Sequence, residues 1–187
     1  MTVSKSNQFW ATAFHEAGHA VAAVHLRVGI GRLGVSIVPS EGSAGTCHTL
    51  KTFSGNPDAH ATDRMRLGAE KRAIILFAGP AAQRKYRSSS IRNYHGHSDR
   101  HRAIDLMDYF VGSNRELEAY LNWLRIRAEQ LVANPFARKT IEAVAAALFE
   151  SKHLTAQEVK DIHRECLFPD GVPCIAISGR TGRLAEG

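Results

Sequence analysis

The stretch TAFHEAGHAVAAV, residues 12–24, decides how this chain is read. It is apolar almost throughout, yet it holds His15, Glu16 and His19. Such a segment predicts a buried helix, running here over residues 9–28. Burying imidazole and carboxylate groups is costly unless a metal or a strong hydrogen-bond network satisfies them. His15-Glu16-Ala17-Gly18-His19 matches the pattern HExxH. Four residues at 100° each leave the two histidines about 40° apart and roughly 6 Å along the axis, so both rings can face one ion. Glu16 lies about 60° around the helix from His19, within reach of a water at that ion but poorly placed to bind the ion itself. Two ligands beside a general base is the division of labour of a zinc hydrolase. A core helix with two hydrogen-bonded histidines is the competing reading. Three titratable groups so close together in an apolar helix favour the metal, Zn²⁺.

A catalytic zinc site needs a third protein ligand and one open position. The candidates lie in HGHSDRHRAIDLMDYF, residues 95–110, where a helix is expected from about Asp99 to Val111. Asp99, Ala103, Leu106 and Phe110 share its apolar face, whereas Asp105 sides with His101, Arg102, Asp108 and Tyr109. Asp99 is therefore the carboxylate aimed inward, with His95, His97 and His101 as rivals. An aspartate favouring the helix dipole is the plainer reading of the same residue.

The rest of the chain reads as mainly α, in the α+β class, with a small β-sheet or hairpin. VSIVPS and GTCHTLKTF predict two short strands joined by EGSAG. Residues 58–86 predict a helix with a break near Gly79-Pro80. RSSSIRNYHGH predicts a polar loop. The last third predicts helices, from the spacing of Leu117, Tyr120, Leu121, Leu124, Ala128 and Leu131 and its repeat after Pro135. TAQE at 155–158 predicts a capping box. One domain is expected over 1–168, followed by a flexible tail over 169–187 rich in Gly, Pro and Arg.

Several function classes lose ground on sequence alone. GIGRLG, Gly29 to Gly34, matches GxGxxG, but it follows a helix and precedes a strand, the reverse of a dinucleotide fingerprint, so it reads as a turn. No GxxxxGK[ST] loop occurs. The net charge of +6 would suit nucleic acid, but no reader motif or interleaved aromatic accompanies it, so no nucleic-acid partner is expected. AIILFAGPAA is too short to span a bilayer, and MTVSKSNQFW has no apolar signal core, so neither a membrane span nor secretion is expected. Cys47, Cys166 and Cys174 form no framework and imply reduced thiols in the cytoplasm.

TAFHEAGHAVAA, VSIVPS with AGTCHTL, ILFAGPAAQRKY, HSDRHRA and KTIEAVAAALFESKHLTAQEV together resemble the peptidase domain of the FtsH-type ATP-dependent zinc metalloproteases. The resemblance covers residues 10–165. It implies a helical zincin-type metallopeptidase domain that hydrolyses peptide bonds, with His15, His19 and Asp99 as ligands and Glu16 as base. Two features depart from the family: Ser98 stands where Asn usually precedes the ligand aspartate, and Pro80 and Gln83-Arg84 replace a basic and acidic residues. The ATPase module and membrane anchor of that family are absent from these residues. ATP-independent cleavage of flexible or unfolded polypeptides is therefore expected, with a separate ATPase or a homo-oligomer left open as partner. Gly45 and Thr46 are expected to offer a strand edge to substrate. The alternative function is a non-catalytic, zinc-stabilised peptide-binding module.

Overall fold

The structure, a computed structural model, describes residues 5–40, 44–57, 60–86 and 96–168. The polar loop over 87–95 with His95, Cys174, and the expected tail over 169–187 lie outside them. Among the described residues six α-helices pack with a small three-stranded antiparallel sheet, so the fold is mainly α with an α+β element.

Helix α1, Lys5–His25, is the centre of the molecule. Its many alanines let neighbours come close: Ala13, Ala17, Ala20, Ala22 and Ala23 are all fully buried. It packs chiefly against α2, Asp63–Tyr86, and α5, Pro135–Ser151. At the α1–α2 crossing there is no room for side chains. A Cβ on Gly18 would lie 2.6 Å from the Ala78 carbonyl oxygen and 3.0 Å from the Gly79 Cα.

The break expected at Gly79-Pro80 does not occur, and α2 runs through Pro80 to Tyr86. An interior proline costs a helix about 3 kcal/mol or more. The continuous burial of residues 73–79 on both sides of the crossing offsets that cost.

Strand β1, Ile30–Ser36, lies between β2, Thr46–Thr49, and β3, His153–Leu154. GIGRLG is thus strand rather than turn over most of its length, and β1 begins earlier than VSIVPS suggested. The pairing jumps from Ile30↔Thr49 to Val35↔Cys47, so the β1 residues between them bulge. Gly34 lies in the bulge at φ +65, and a Cβ there would collide with the Leu154 carbonyl oxygen. No helix follows the glycines, which removes the dinucleotide reading. The third strand, β3, was not expected. It pairs with β1 through Val35↔Leu154 and Ser36↔His153.

Helix α3, His97–Met107, is shorter than expected and passes into a 3-10 turn over Asp108–Phe110. Helix α4, Asn114–Ala133, is capped by Ser113, whose hydroxyl accepts from the Glu116 N–H. Asn134 caps α5 by accepting from Phe136 and Ala137. Helix α6, Ala156–Leu167, opens with the expected capping box of Thr155 and Glu158. No helix among the described residues is long and apolar enough to cross a membrane.

Candidate metal centre

Helices α1 and α3 bring His15, His19 and Asp99 together although His15 and Asp99 are 84 residues apart. The Asp99 Oδ2 lies 3.1 Å from His15 Nε2 and 3.5 Å from His19 Nε2. One donor atom from each residue falls within 4.8 Å of the others, the grouping that could hold an ion among the described residues. Neighbouring ligands of a tetrahedral site with bonds near 2.1 Å stand about 3.4 Å apart, so the two distances to Asp99 suit zinc.

The far nitrogens of both rings are already committed. His19 Nδ1 donates to the Ile75 backbone carbonyl at 2.7 Å, and His15 Nδ1 donates to Gln83 Oε1 at 3.0 Å. A carbonyl oxygen can only accept, so in its neutral form each ring carries its proton on Nδ1 and turns a lone pair on Nε2 toward the carboxylate. In that form acceptors face acceptors in a buried site, which calls for positive charge between them, from a metal ion or from protons on the rings. The arrangement also matches how metal-binding histidines are oriented, with the non-ligating N–H held by an outer oxygen.

Helix α2 supplies both outer oxygens and the space for the ring. A Cβ on Gly79 would collide with the His19 imidazole. Gln83 is 3 % exposed in the apolar run AGPAAQ. Sequence reasoning treated that glutamine only as a departure from the family pattern. Its isolation among small apolar residues was the available signal. The Ile75 carbonyl leaves no signal, because every residue has one.

Asp99 is buried, as the helical face predicted, while Asp105 is exposed. The face is centred on Asp99, Ala103 and Met107, the three buried residues of α3. Burial alone would raise the Asp99 pKa, but His19 and His15 in their protonated form, through charge and hydrogen bonds, outweigh it and hold the carboxyl well below the usual range. His97 and His101 are exposed, and their rings touch each other instead of the centre.

Glu16 is 5 % exposed. Burial pushes its pKa up to about 7, with the nearby His15 charge opposing, Asp99 reinforcing and Arg102 opposing. The chain just before β2 passes directly over it. A Cβ on Gly45 would lie 2.9 Å from Glu16 Oε1 and 2.7 Å from Thr12 Cγ2. Gly45 therefore belongs to the wall of the site, and Thr46 opens β2, one of the two outer strands. Cys47 follows on the same strand, its thiol pKa driven up by burial and by Glu16. Cys47 and Cys166 are both free thiols.

No family model matches the chain, and no curated protein matches it either.

Proposed function

We propose that this chain is a zinc-dependent metalloendopeptidase acting on flexible or unfolded polypeptides, with His15, His19 and Asp99 as ligands and Glu16 as proton carrier. One observation supports this above the others: two Nε2 lone pairs and a buried carboxylate converge beside a buried glutamate that is not among the three converging groups. The resemblance of HEAGHA and the later Ser98-Asp99 to the FtsH-type peptidase domain supports the same reading.

Zinc at such a centre supplies Lewis acidity, which makes water a better nucleophile near neutral pH and polarises a carbonyl. The chain's own residues do the rest. Glu16 accepts a proton from the attacking water and returns it to the departing amine. Gln83 and the Ile75 carbonyl hold the two rings in one tautomer. The outer edge of β2 takes an extended peptide as a further strand, and Gly45 and Thr46 bring that strand past Glu16. With no nucleotide-binding loop in these residues, cleavage by this chain alone is indifferent to ATP. Its substrates are then chains that are already open. A cytoplasmic setting belongs to the same proposal and rests on the cysteines.

The alternative is a zinc-stabilised module that binds peptides without turnover. Buried Glu16 favours catalysis, since a structural site closes its fourth position with another ligand and has no use for a base. The deciding experiment is metal analysis of the purified chain beside cleavage of an unfolded protein, with and without chelator. Bound zinc with chelator-sensitive cleavage is expected. Bound zinc without any cleavage would favour the module, and no zinc would sink both readings.

A further inference from the structure

Among the described residues two arginines are half-buried, Arg72 and Arg125. Arg125 is held by Glu129 and Asn122. Arg72 has no carboxylate at ion-pair distance among the described residues, although Arg84, Arg100, Arg138 and Arg164 on the surface all do. A guanidinium withdrawn from water without a counter-charge is costly, so its position calls for a partner.

Its place on α2 says where that partner would come from. Gly68, Arg72, Ile75 and Gly79 fall within about 60° of one another around the helix. Gly68 is pressed against the chain leaving β2, where a Cβ would lie 2.8 Å from the Thr52 carbonyl oxygen. Ile75 and Gly79 meet His19. Arg72 therefore stands between the strand edge and the metal centre. Burial draws its pKa down, and Cys47, Arg102 and Asp99 all act on its charge, which sets it among those groups. Arg102, exposed on α3 one turn after Asp99, is likewise without a carboxylate among the described residues and adds a second positive charge to the same wall.

We propose that Arg72, assisted by Arg102, is a carboxylate-binding subsite of the candidate peptidase centre, taking either an acidic side chain of the substrate or its free C-terminus. The planar guanidinium presents paired donors that match a carboxylate, and the low exposure of Arg72 lets the contact discriminate rather than merely attract. The inference rests on the peptidase reading, so its test separates the two.

The zinc-loaded chain is given three matched peptides: one neutral with both ends blocked, one with a glutamine near the cleaved bond changed to glutamate, and one with a free C-terminus. At least one carboxylate peptide should be cut with a kcat/KM higher by roughly tenfold or more. The one that gains tells side chain from chain end. The advantage should shrink as salt rises. It should collapse toward unity in Arg72→Gln, survive in part in Arg72→Lys, and weaken in Arg102→Gln, whose exposed position makes misfolding no explanation. Equal rates on all three peptides, or an unchanged ratio in both glutamine variants, would overturn the subsite. If no peptide is cut, the peptidase reading fails, and calorimetric binding of the same peptides decides the subsite separately. A carboxylate preference lost in Arg72→Gln supports it, and equal affinities overturn it.

Discussion

Two histidine pairs stand one helical turn apart in this molecule, His15–His19 on α1 and His97–His101 on α3. Their rings are almost equally spaced, with centroids 4.7 Å apart in the first pair and 4.5 Å in the second. Each has an aspartate nearby, Asp99 for the first and Asp105, one turn further along α3, for the second. The first pair is sunk between helices, its outer nitrogens are held by oxygens of α2, and a carboxylate closes on it. The second lies on the surface. Spacing therefore makes a pair of histidines available on one face, and burial with committed outer nitrogens makes the first pair a candidate centre. The difference lies in desolvation and preorganisation, not in residue type.

Variants can strain that comparison, beginning with the change expected to cost most. Glu16→Gln should keep zinc and fold but lower cleavage by about 10²–10⁴-fold, the usual range for a lost acid–base group. Peptide kinetics beside metal analysis reads this, and full activity in the variant would end the proposed mechanism. Asp99→Ala should weaken zinc binding by more than about 100-fold, because even outer-shell changes cost 10–100-fold. Asp105→Ala and His101→Ala should leave the zinc content as it was. Equal loss in Asp99→Ala and His101→Ala would erase the distinction between the pairs.

Smaller changes sharpen the comparison. Gln83→Ala frees the outer nitrogen of His15 and should weaken zinc by about 10–100-fold in a competition titration with a chelator. An unaltered affinity would mean that the committed nitrogen does not set the first pair apart. Gly79→Ala pushes a methyl into the His19 ring, and overpacking of this kind costs about 1–3 kcal/mol. Denaturant melts should show that loss. A gain instead would mean that the better helix propensity of alanine outweighs the crowding.

Much of this centre was legible before the fold. Helical arithmetic on HEAGH put two histidines on one face with a glutamate beside them, and the apolar face of residues 99–110 separated Asp99 from Asp105. Local pattern suffices when the deciding fact is which way a side chain points from its own helix. It failed where the deciding partner is remote. His153 and Leu154 become a strand only because β1 passes beside them, and Ile30–Gly34 looks like a turn until Gly34 is seen to fold back against Leu154. Pro80 reads as a break because the sequence does not show that the helix on both sides of it is clamped by α1. Gln83 and Arg72 acquire meaning only from what lies across from them.

The distance along the chain between His15 and Asp99 has a consequence for folding. An ion shared by α1 and α3 closes a loop of 84 residues in any state in which it stays bound. Closing a loop removes conformational freedom that the unfolded chain would otherwise regain, and the effect grows, slowly, with loop length. Where the ion is instead released on unfolding, mass action takes the place of this effect: a metal present at 100 times its dissociation constant raises the unfolding free energy by about 2.7 kcal/mol if only the folded chain binds it. An ion held there would thus also be a clasp between the first and middle thirds of the chain. Metal supply would govern how long the molecule survives as well as whether it can act.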